Sequence, residues 1–255
     1  MRALFQRPGL AILGMLSLLA AAPRSALGQM QAMPVYFSPK GGSGITLDGD
    51  YGRISSAKYG TVSQTNHPTA IGGRAYVGLS ILTLGVGGSV YDSKVTTQVN
   101  TTQYQGTAAL RILGGALVPV AISLQGGVGY LKFGSGSGAL KTVDIPIGVG
   151  IGLNIPTPGA SVEPWIAGRV HLTSYSSGSG SISVSQTRTG VGISGGLNAG
   201  LPMGLWLHVA VDWSSFGGDI SSPISLAQPK LQQLVVGIGV HYMVKLPGLP
   251  GVPIV

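Results

Sequence analysis

A strict alternation of branched aliphatic residues with small or polar ones runs from Val143 to Ile155, and it constrains the fold more than any other feature. Every odd position is Val, Ile or Leu, whereas the even positions are Asp, Pro, Gly or Asn. Successive side chains of a β-strand point to opposite faces, so this segment has one apolar face and one polar face. A helix would scatter the same aliphatics around its circumference. A strand tilted near 45° crosses a bilayer in roughly 9–11 residues, and this segment is long enough to do so.

Composition agrees with strands that face lipid. Only 9% of the 255 residues are charged, against about 25% in soluble domains. After residue 22 no run approaches the ~18 consecutive apolar residues of a membrane helix. Strands that cross a bilayer must close into a barrel, because an open edge would leave backbone groups without hydrogen bonds.

The N-terminus has the three parts of a cleavable signal peptide, predicted over residues 1–28. Arg2 and Arg7 supply the positive charge, Leu10–Ala22 is the apolar part, and Ala26–Gly28 is a small-x-small cleavage site before Gln29. A membrane anchor is the alternative, although the apolar part is short for one. The chain has no cysteine, which excludes lipoprotein processing, disulfides and Cys-based metal sites.

The basic residues give little support for nucleic-acid binding. The formal charge of +8 falls to +5 when Arg2, Arg7 and Arg24 leave with the signal peptide, and the remaining basic residues are spread singly. This mild basicity favours contact with anionic lipopolysaccharide or with anionic solutes.

Ten segments show the two-residue period, which predicts an all-β, transmembrane, antiparallel up-and-down barrel over residues 44–244. Eight or twelve strands remain alternatives. An irregular segment, 29–43, precedes the barrel, and a Pro-rich tail, 245–255, follows it. Pro146 and Pro164 fall inside predicted strands, where they mark bulges or misplaced boundaries. The predicted strands are 44–53, 69–80, 82–92, 104–114, 119–131, 143–155, 161–174, 188–200, 204–214 and 232–243.

The connections between these segments alternate in length. Short turns follow every second strand, for example at Ser80–Ile81 and Pro202–Met203. The other connections are mostly longer and polar, for example Ser55–Pro68, Ser176–Thr187 and Ser214–Lys230. Short periplasmic turns and longer extracellular loops are typical of outer-membrane barrels, and an even strand count places both termini on the periplasmic side.

Charged residues fall on the face that alternates with the aliphatics. We find no charge on the outward register within the ten predicted spans, which fits the ~2–4 kcal/mol cost of a charge facing lipid at the midplane. Tyr51, Tyr130, Trp213 and Tyr242 fall outward near strand ends, as a thin aromatic girdle.

With these features the sequence resembles the outer-membrane β-barrel families of Gram-negative-type bacteria over residues 44–244. Gly237, Val240 and Tyr242 are similar to their C-terminal assembly signal. Val235 departs from it, because a polar residue is usual there, and so does the chain that continues past Tyr242. The resemblance implies location in the outer membrane and recognition by the barrel assembly machinery.

The inward charges are the candidate site. We expect a lumen ionic network that neutralises itself or forms a selectivity constriction. Arg169, His171, His208 and Asp212 are predicted to share the outer half of the lumen, with Arg111, Glu163 and His241 nearer the periplasmic end. Inward glycines either make room for large side chains or leave a water path or ligand cavity. The network comprises Asp48, Asp50, Arg74, Arg111, Glu163, Arg169, His171, His208 and Asp212.

Three functions remain open. The first is a non-enzymatic barrel with a structural or surface-interaction role, or a small pore. The second is a secreted soluble β-protein, adhesin-like, whose aliphatic faces would pack into a core. The third is a barrel enzyme, either similar to omptin proteases through Asp48, Asp50, His208 and Asp212, or lipid-modifying through Ser174 near His171. The histidines lack metal-ligand spacing and there is no phosphate-binding loop, so we expect no cofactor.

Overall fold

The computed structural model describes residues 30–34, 38–41, 43–94, 101–115, 118–134, 139–158, 160–179, 182–219 and 229–244. The predicted signal peptide and C-terminal tail lie outside these residues. The described residues contain no helix with the length and apolarity needed to cross a membrane. The strands are β1 Gly44–Tyr59, β2 Val62–Ser63, β3 Thr69–Leu79, β4 Leu82–Asp92, β5 Thr101–Gly115, β6 Val118–Phe133, β7 Leu140–Leu153, β8 Ile155–Thr157, β9 Ala160–Ser179, β10 Ile182–Gly200, β11 Leu205–Asp219 and β12 Leu231–Val244.

Ten of these strands form one closed antiparallel barrel within the described residues. The order around the barrel is β1, β3, β4, β5, β6, β7, β9, β10, β11 and β12, and β12 pairs with β1 to close it. The short strands β2 and β8 extend this sheet by pairing with β1 and β9. The predicted barrel class is therefore confirmed, with ten strands rather than eight or twelve.

The barrel has an apolar outside and a polar inside. The aliphatic side chains of β7 point outward and are exposed, with Ile147 at 53%, and the same holds for outward residues on every barrel strand. Charged side chains such as Asp50, Arg74 and Arg169 are buried inside. The outward aliphatics pack no core, contrary to the expectation for a soluble β-protein. A continuous apolar belt far exceeds the largest patch of a typical soluble monomer, ~300–600 Å², so lipid is its natural solvent.

Several strands are longer than predicted at the ends that lead into the long loops, here called the long-loop end. β1 continues to Tyr59, and the β9–β10 hairpin extends to Ser179 and Ile182. The loops predicted at Ser55–Pro68 and Ser176–Thr187 are therefore largely strand, which corrects the prediction. The aliphatic alternation stops where the lipid stops, whereas Thr, Val and Tyr still favour strand pairing in water.

The prediction that no charge faces outward within the spans is wrong at two strand ends. Arg53 is exposed on the outward face of β1, and Asp92 ends β4 on its outward face. Both lie at the long-loop end, where Lys132 and Lys141 are also exposed. The cost of an outward charge falls to ~0–1 kcal/mol near the membrane interface, so these positions tolerate it.

Neither internal proline marks a bulge. The β9–β10 register is continuous through Pro164, which lies opposite Leu197. At Pro146 the β6–β7 pairing lapses between Gly126–Ile147 and Gly129–Asp144 and then resumes in the same register. Because proline lacks the N–H that a ladder hydrogen bond needs, pairing is lost locally at Pro146. The register of the two strands is the same on both sides of this gap. A register shift occurs instead between Ile54 and Ser56, against β12.

Candidate functional site

The lumen of the barrel contains the chain's own N-terminal segment. Residues 30–41, here called the lumen segment, are described at 30–34 and 38–41. Met30, Ala32 and Met33 are at most 1% exposed. They form one cluster with inward side chains of the wall, namely Ile54, Ala57, Ala70, Tyr91 and Val235. The irregular stretch that precedes β1 is therefore part of the interior.

Polar contacts hold the lumen segment at both ends of the barrel. At the long-loop end, the Gln31 backbone N–H donates to Gln103 Oε1 at 2.6 Å, and Gln103 Nε2 donates to the Gln31 carbonyl at 2.8 Å. At the opposite, short-turn end, Lys40 Nζ lies 3.1 Å from Glu163 Oε1, and Arg111 Nη1 donates to the Lys40 carbonyl at 2.7 Å. The described parts of the segment thus lie at both ends of the lumen, Gln31 at the long-loop end and Lys40 at the short-turn end.

Several inward glycines make room for this segment. A Cβ at Gly52 would overlap the Ala32 carbonyl oxygen, and one at Gly237 would lie 2.6 Å from Pro34 Cδ. Other inward glycines make room for large side chains of neighbouring strands. At Gly85, for example, a Cβ would overlap the ring of Tyr76. The glycines therefore leave space that side chains and the lumen segment fill.

Asp50 and Arg74 anchor an ionic cluster on one wall. Arg74 donates through Nε to Asp50 Oδ2 at 2.9 Å, and its Nη2 lies 2.8 Å from Asp50 Oδ1. His208 Nε2 lies 2.7 Å from the same Oδ1, and its Nδ1 lies 3.3 Å from Nδ1 of His241. The ring of His241 stacks on Trp206. Both oxygens of the Asp50 carboxylate therefore have partners: the Arg74 guanidinium contacts Oδ1 and Oδ2, and the His208 imidazole contacts Oδ1.

Arg169 and Asp144 organise a second cluster on the adjoining part of the wall, formed by β7, β9, β10 and β11. Arg169 hydrogen-bonds Asp212 through Nη2, Ser194 Oγ through Nη1 at 2.8 Å and His171 Nε2 through Nε at 3.2 Å. His171 Nδ1 lies 3.0 Å from Asp144 Oδ2. On the same carboxylate, Oδ1 accepts from the Thr173 hydroxyl at 2.5 Å. Arg169 and Asp212 form an ion pair, and the Asp144 carboxylate accepts hydrogen bonds from His171 and Thr173, so the buried charges have polar partners, as burial requires.

Aromatic and aliphatic side chains cover the lumen at the long-loop end. Tyr175, Phe216 and Leu231 form a buried cluster, and the Phe216 ring lies edge-on to His171 at 5.3 Å between centroids. Arg188 is fully buried beside them, with its guanidinium carbon 5.9 Å from the centre of the Tyr59 ring. At the long-loop end, the interior therefore contains the Arg188 guanidinium, which lies over the Tyr59 ring, and the cluster of Tyr175, Phe216 and Leu231.

The structure places all nine predicted network residues inside the barrel but groups them differently. His208 contacts Asp50 and His241, whereas Asp212 contacts Arg169. Asp48 lies on the same wall as Asp50, and its carboxylate makes no hydrogen bond within the described part of the chain. The contact of Lys40 was not predicted because it lies in the lumen segment, which has no periodicity, and that of Gln103 because the predicted strand began one residue later, at 104.

The enzyme constellations considered from the sequence do not form. Ser174 points outward, is exposed and shares a hydrogen bond of 3.3 Å with Thr187, whereas His171 points inward and already accepts from Arg169. The His208–Asp212 pair of an omptin-like site is replaced by separate partners. Among the described residues, no group of three or more His, Cys, Asp or Glu side chains is placed to hold a metal ion.

Comparisons with known proteins return structures and no sequence relatives. No protein-family model and no curated protein matches this sequence. Neisserial surface protein A is 14% identical with a TM-score of 0.41, over 79% of this chain and 98% of its own. The outer membrane protease OmpT from Escherichia coli is 9% identical with a TM-score of 0.42, over 82% and 99%. The N-terminal β-barrel domain of Pseudomonas aeruginosa OprF is 11% identical with a TM-score of 0.32, over 80% and 100%.

The class of the protein follows from its own structure, since nothing about function can be taken from similarities at these levels. The sheet is closed, its outside is apolar and its charged interior is internally paired. Such a molecule is a transmembrane β-barrel. Its distinguishing feature is a lumen occupied by its own N-terminal segment.

Proposed function

We propose that this protein is a non-enzymatic outer-membrane barrel that is closed to solutes and presents a polar surface at its long-loop end. The observation that carries the proposal is the filled lumen. The described parts of the lumen segment, the two ionic clusters and the aromatic cover together occupy the interior. A cavity at the short-turn end, lined by residues such as Pro39, Glu163 and Trp165, has a volume of about 10 Å³. Such a volume holds about one water molecule, so the interior around Pro39 is closely packed.

A projecting hairpin supports a role at the surface. β9 has 20 residues, which at about 3.3 Å each give a length of roughly 66 Å. A tilt of ~40° reduces this to a height of about 50 Å, twice the ~25 Å apolar band of such barrels. Outward residues on the far part of the hairpin are polar, including Ser174, Ser176 and Ser185. The β9–β10 hairpin therefore offers a rigid polar ribbon beyond the membrane.

The outside of the barrel favours anionic lipid as a partner. Lys132 and Lys141 lie directly opposite each other on β6 and β7 and are both exposed. Like charges in this position destabilise a sheet unless an anion lies between them. The cross-strand pair Tyr104 and Tyr130 lies just toward the membrane from them, at the depth of an aromatic girdle. A phosphate of lipopolysaccharide fits both charges, which would place the long-loop end in the outer leaflet.

Assembly into the outer membrane is proposed to use the C-terminal strand. Val240 and Tyr242 point outward on β12 and are each 48% exposed. Gly237 faces the lumen segment instead. The barrel assembly machinery could therefore recognise Val240 and Tyr242 on the outside, whereas Gly237 leaves space for the lumen segment on the inside.

Two measurements on the full chain test the proposed function. Protein extracted from the outer-membrane fraction should migrate differently with and without boiling, because a closed barrel resists detergent until heated. The unboiled form should show no steady conductance in planar bilayers. A protein that stays in the soluble fraction, or a folded barrel that conducts steadily, would contradict the proposal.

The lysine pair gives a test of the lipid partner. Lys132→Gln and Lys141→Gln together should weaken binding to vesicles that contain lipopolysaccharide, with no change for neutral vesicles. Lys94→Gln is a suitable control, because Lys94 is exposed and is paired with Asp92 at 2.5 Å. Equal losses in the control and in the pair would show that general charge, rather than this site, attracts the lipid.

A further inference from the structure

The lumen segment is held in the manner of a bound ligand. Its described internal hydrogen bonds are two turns, from Met33 N–H to the Met30 carbonyl and from Gly41 N–H to the Ser38 carbonyl. Its anchors are side chains of the wall, Gln103 at one end and Glu163 with Arg111 at the other. It joins the barrel covalently only where β1 begins. These contacts could form equally well with a separate peptide of the same sequence.

The wall is shaped for this segment in particular. The three atoms nearest to a Cβ at Gly52 all belong to Ala32 and Met33, and those nearest to a Cβ at Gly152 all belong to Pro39. At Gly237 the two nearest belong to Pro34. A strand glycine has a conformational cost, and at these positions no neighbouring strand side chain fills the space. The space is filled by a small residue and two prolines of the lumen segment.

We propose that the lumen is a binding site for a peptide, that the lumen segment, described at 30–34 and 38–41, is its intramolecular ligand, and that a water path opens when this segment leaves. The proposal rests on the closed state described above. The ligand it requires has a small residue at the position of Ala32, prolines at the positions of Pro34 and Pro39, and a cation at that of Lys40. Once vacated, the site exposes Glu163, Arg111 and a row of glycines, which water can hydrate.

Variants of the full chain separate the segment from its site. Gly52→Ala places a Cβ against the Ala32 carbonyl, and Ala32→Trp puts a large ring where the native side chain is 0% exposed. Gly49→Ala is the matched control, because it lies on the same strand and its Cβ would meet nothing within 4 Å. Each variant is first checked for the mobility shift on boiling, so that only folded barrels are compared.

A unique thiol reports whether the segment has left. The chain has no cysteine, so Gln31→Cys supplies one at a residue that is 4% exposed and whose two hydrogen bonds with Gln103 are made by its backbone. Combined with Gly52→Ala or Ala32→Trp, this thiol should react with a water-soluble maleimide about tenfold faster or more, which corresponds to ~1.4 kcal/mol of lost binding. The same two variants should conduct in planar bilayers, whereas Gly49→Ala should remain closed and protected.

A synthetic peptide with the sequence of residues 29–43 completes the test. Added to the Ala32→Trp chain, whose wall is unchanged, it should lower the conductance toward that of the wild type. The same peptide carrying Ala32→Trp should have no effect, and neither peptide should close the Gly52→Ala barrel.

Two results would overturn the inference while leaving the proposed function intact. In the first, the wild type is closed and both folded variants are also closed with a protected thiol, so the segment is not what closes the barrel. In the second, the variants conduct but the native peptide never reduces the current, so the segment is a structural part rather than a ligand. A wild-type barrel that conducts steadily would instead contradict the proposed function itself.

Discussion

Removal of Asp212 should be one of the most damaging single changes in the lumen. The Arg169 and Asp212 side chains are 5% and 0% exposed, and they form a direct ion pair. Asp212→Ala leaves the guanidinium buried with Ser194 and His171 as neutral partners. Breaking one side of a buried pair costs about 3–5 kcal/mol. Each ~1.4 kcal/mol is a factor of ten, so the ratio of folded to unfolded protein should fall at least a hundredfold.

The same reasoning predicts rescue by removing the second charge. Arg169→Met combined with Asp212→Leu should recover most of the loss, because replacing a buried pair with apolar side chains is often neutral. Asp92→Ala is the contrasting control. Its partner Lys94 lies at 2.5 Å, but both side chains are exposed, at 38% and 48%, and such pairs contribute ~0–1 kcal/mol.

Urea unfolding of the barrel in lipid vesicles measures these changes, with the fraction folded read from band mobility in unboiled samples. The account predicts a large drop in midpoint for Asp212→Ala, a small one for Asp92→Ala, and recovery in the double variant. If Asp212→Ala unfolds within ~1 kcal/mol of the wild type, or if the double variant is no more stable than the single one, the assignment of a buried ion pair is refuted.

Two further changes test the outside and the inside of the barrel. Ile147→Lys places a charge on the lipid face and should cost about 2–4 kcal/mol, although Lys141 on the same face is tolerated at the long-loop end. Failure of Ile147→Lys to lower the urea midpoint would mean that this face does not meet lipid. Gly85→Ala drives a Cβ into the Tyr76 ring and should cost about 1–3 kcal/mol by overpacking, whereas Gly49→Ala should be neutral in the same titration. Equal effects at both glycines would contradict the packed lumen.

The parity of side chains was readable from the sequence because a strand has a period of two. The alternation in β7 predicts which residues face lipid, and Ile147 and Val149 are exposed as expected. Parity does not give the height of a residue in the barrel, which depends on the register of neighbouring strands. His208 lies opposite Gly239, which lies opposite Asp50, and this register brings His208 to Asp50 rather than to Asp212.

The lumen segment could not be predicted because its conformation depends on contacts distant in sequence. Gln31 meets Gln103, and Lys40 meets Glu163, yet no local period marks these residues. One signal was present in the inward glycines, because some of them, such as Gly52 and Gly237, face the lumen segment rather than a large side chain of a neighbouring strand. Several predicted strand ends were also too short, because hydrophobic alternation marks the part of a strand that lies in lipid, whereas strand pairing continues beyond it.

A scan of single cysteines along β7 tests whether alternate residues of this strand face lipid. The chain has no native cysteine, so each position from 143 to 153 can carry one fluorophore, and lipids brominated in their acyl chains act as the quencher. The account predicts a period of two, with strong quenching at Ile145, Ile147, Val149 and Ile151 and little at the glycines between them. Quenching without alternation, or none at any position, would contradict a transmembrane barrel with an apolar outside and an occupied polar lumen.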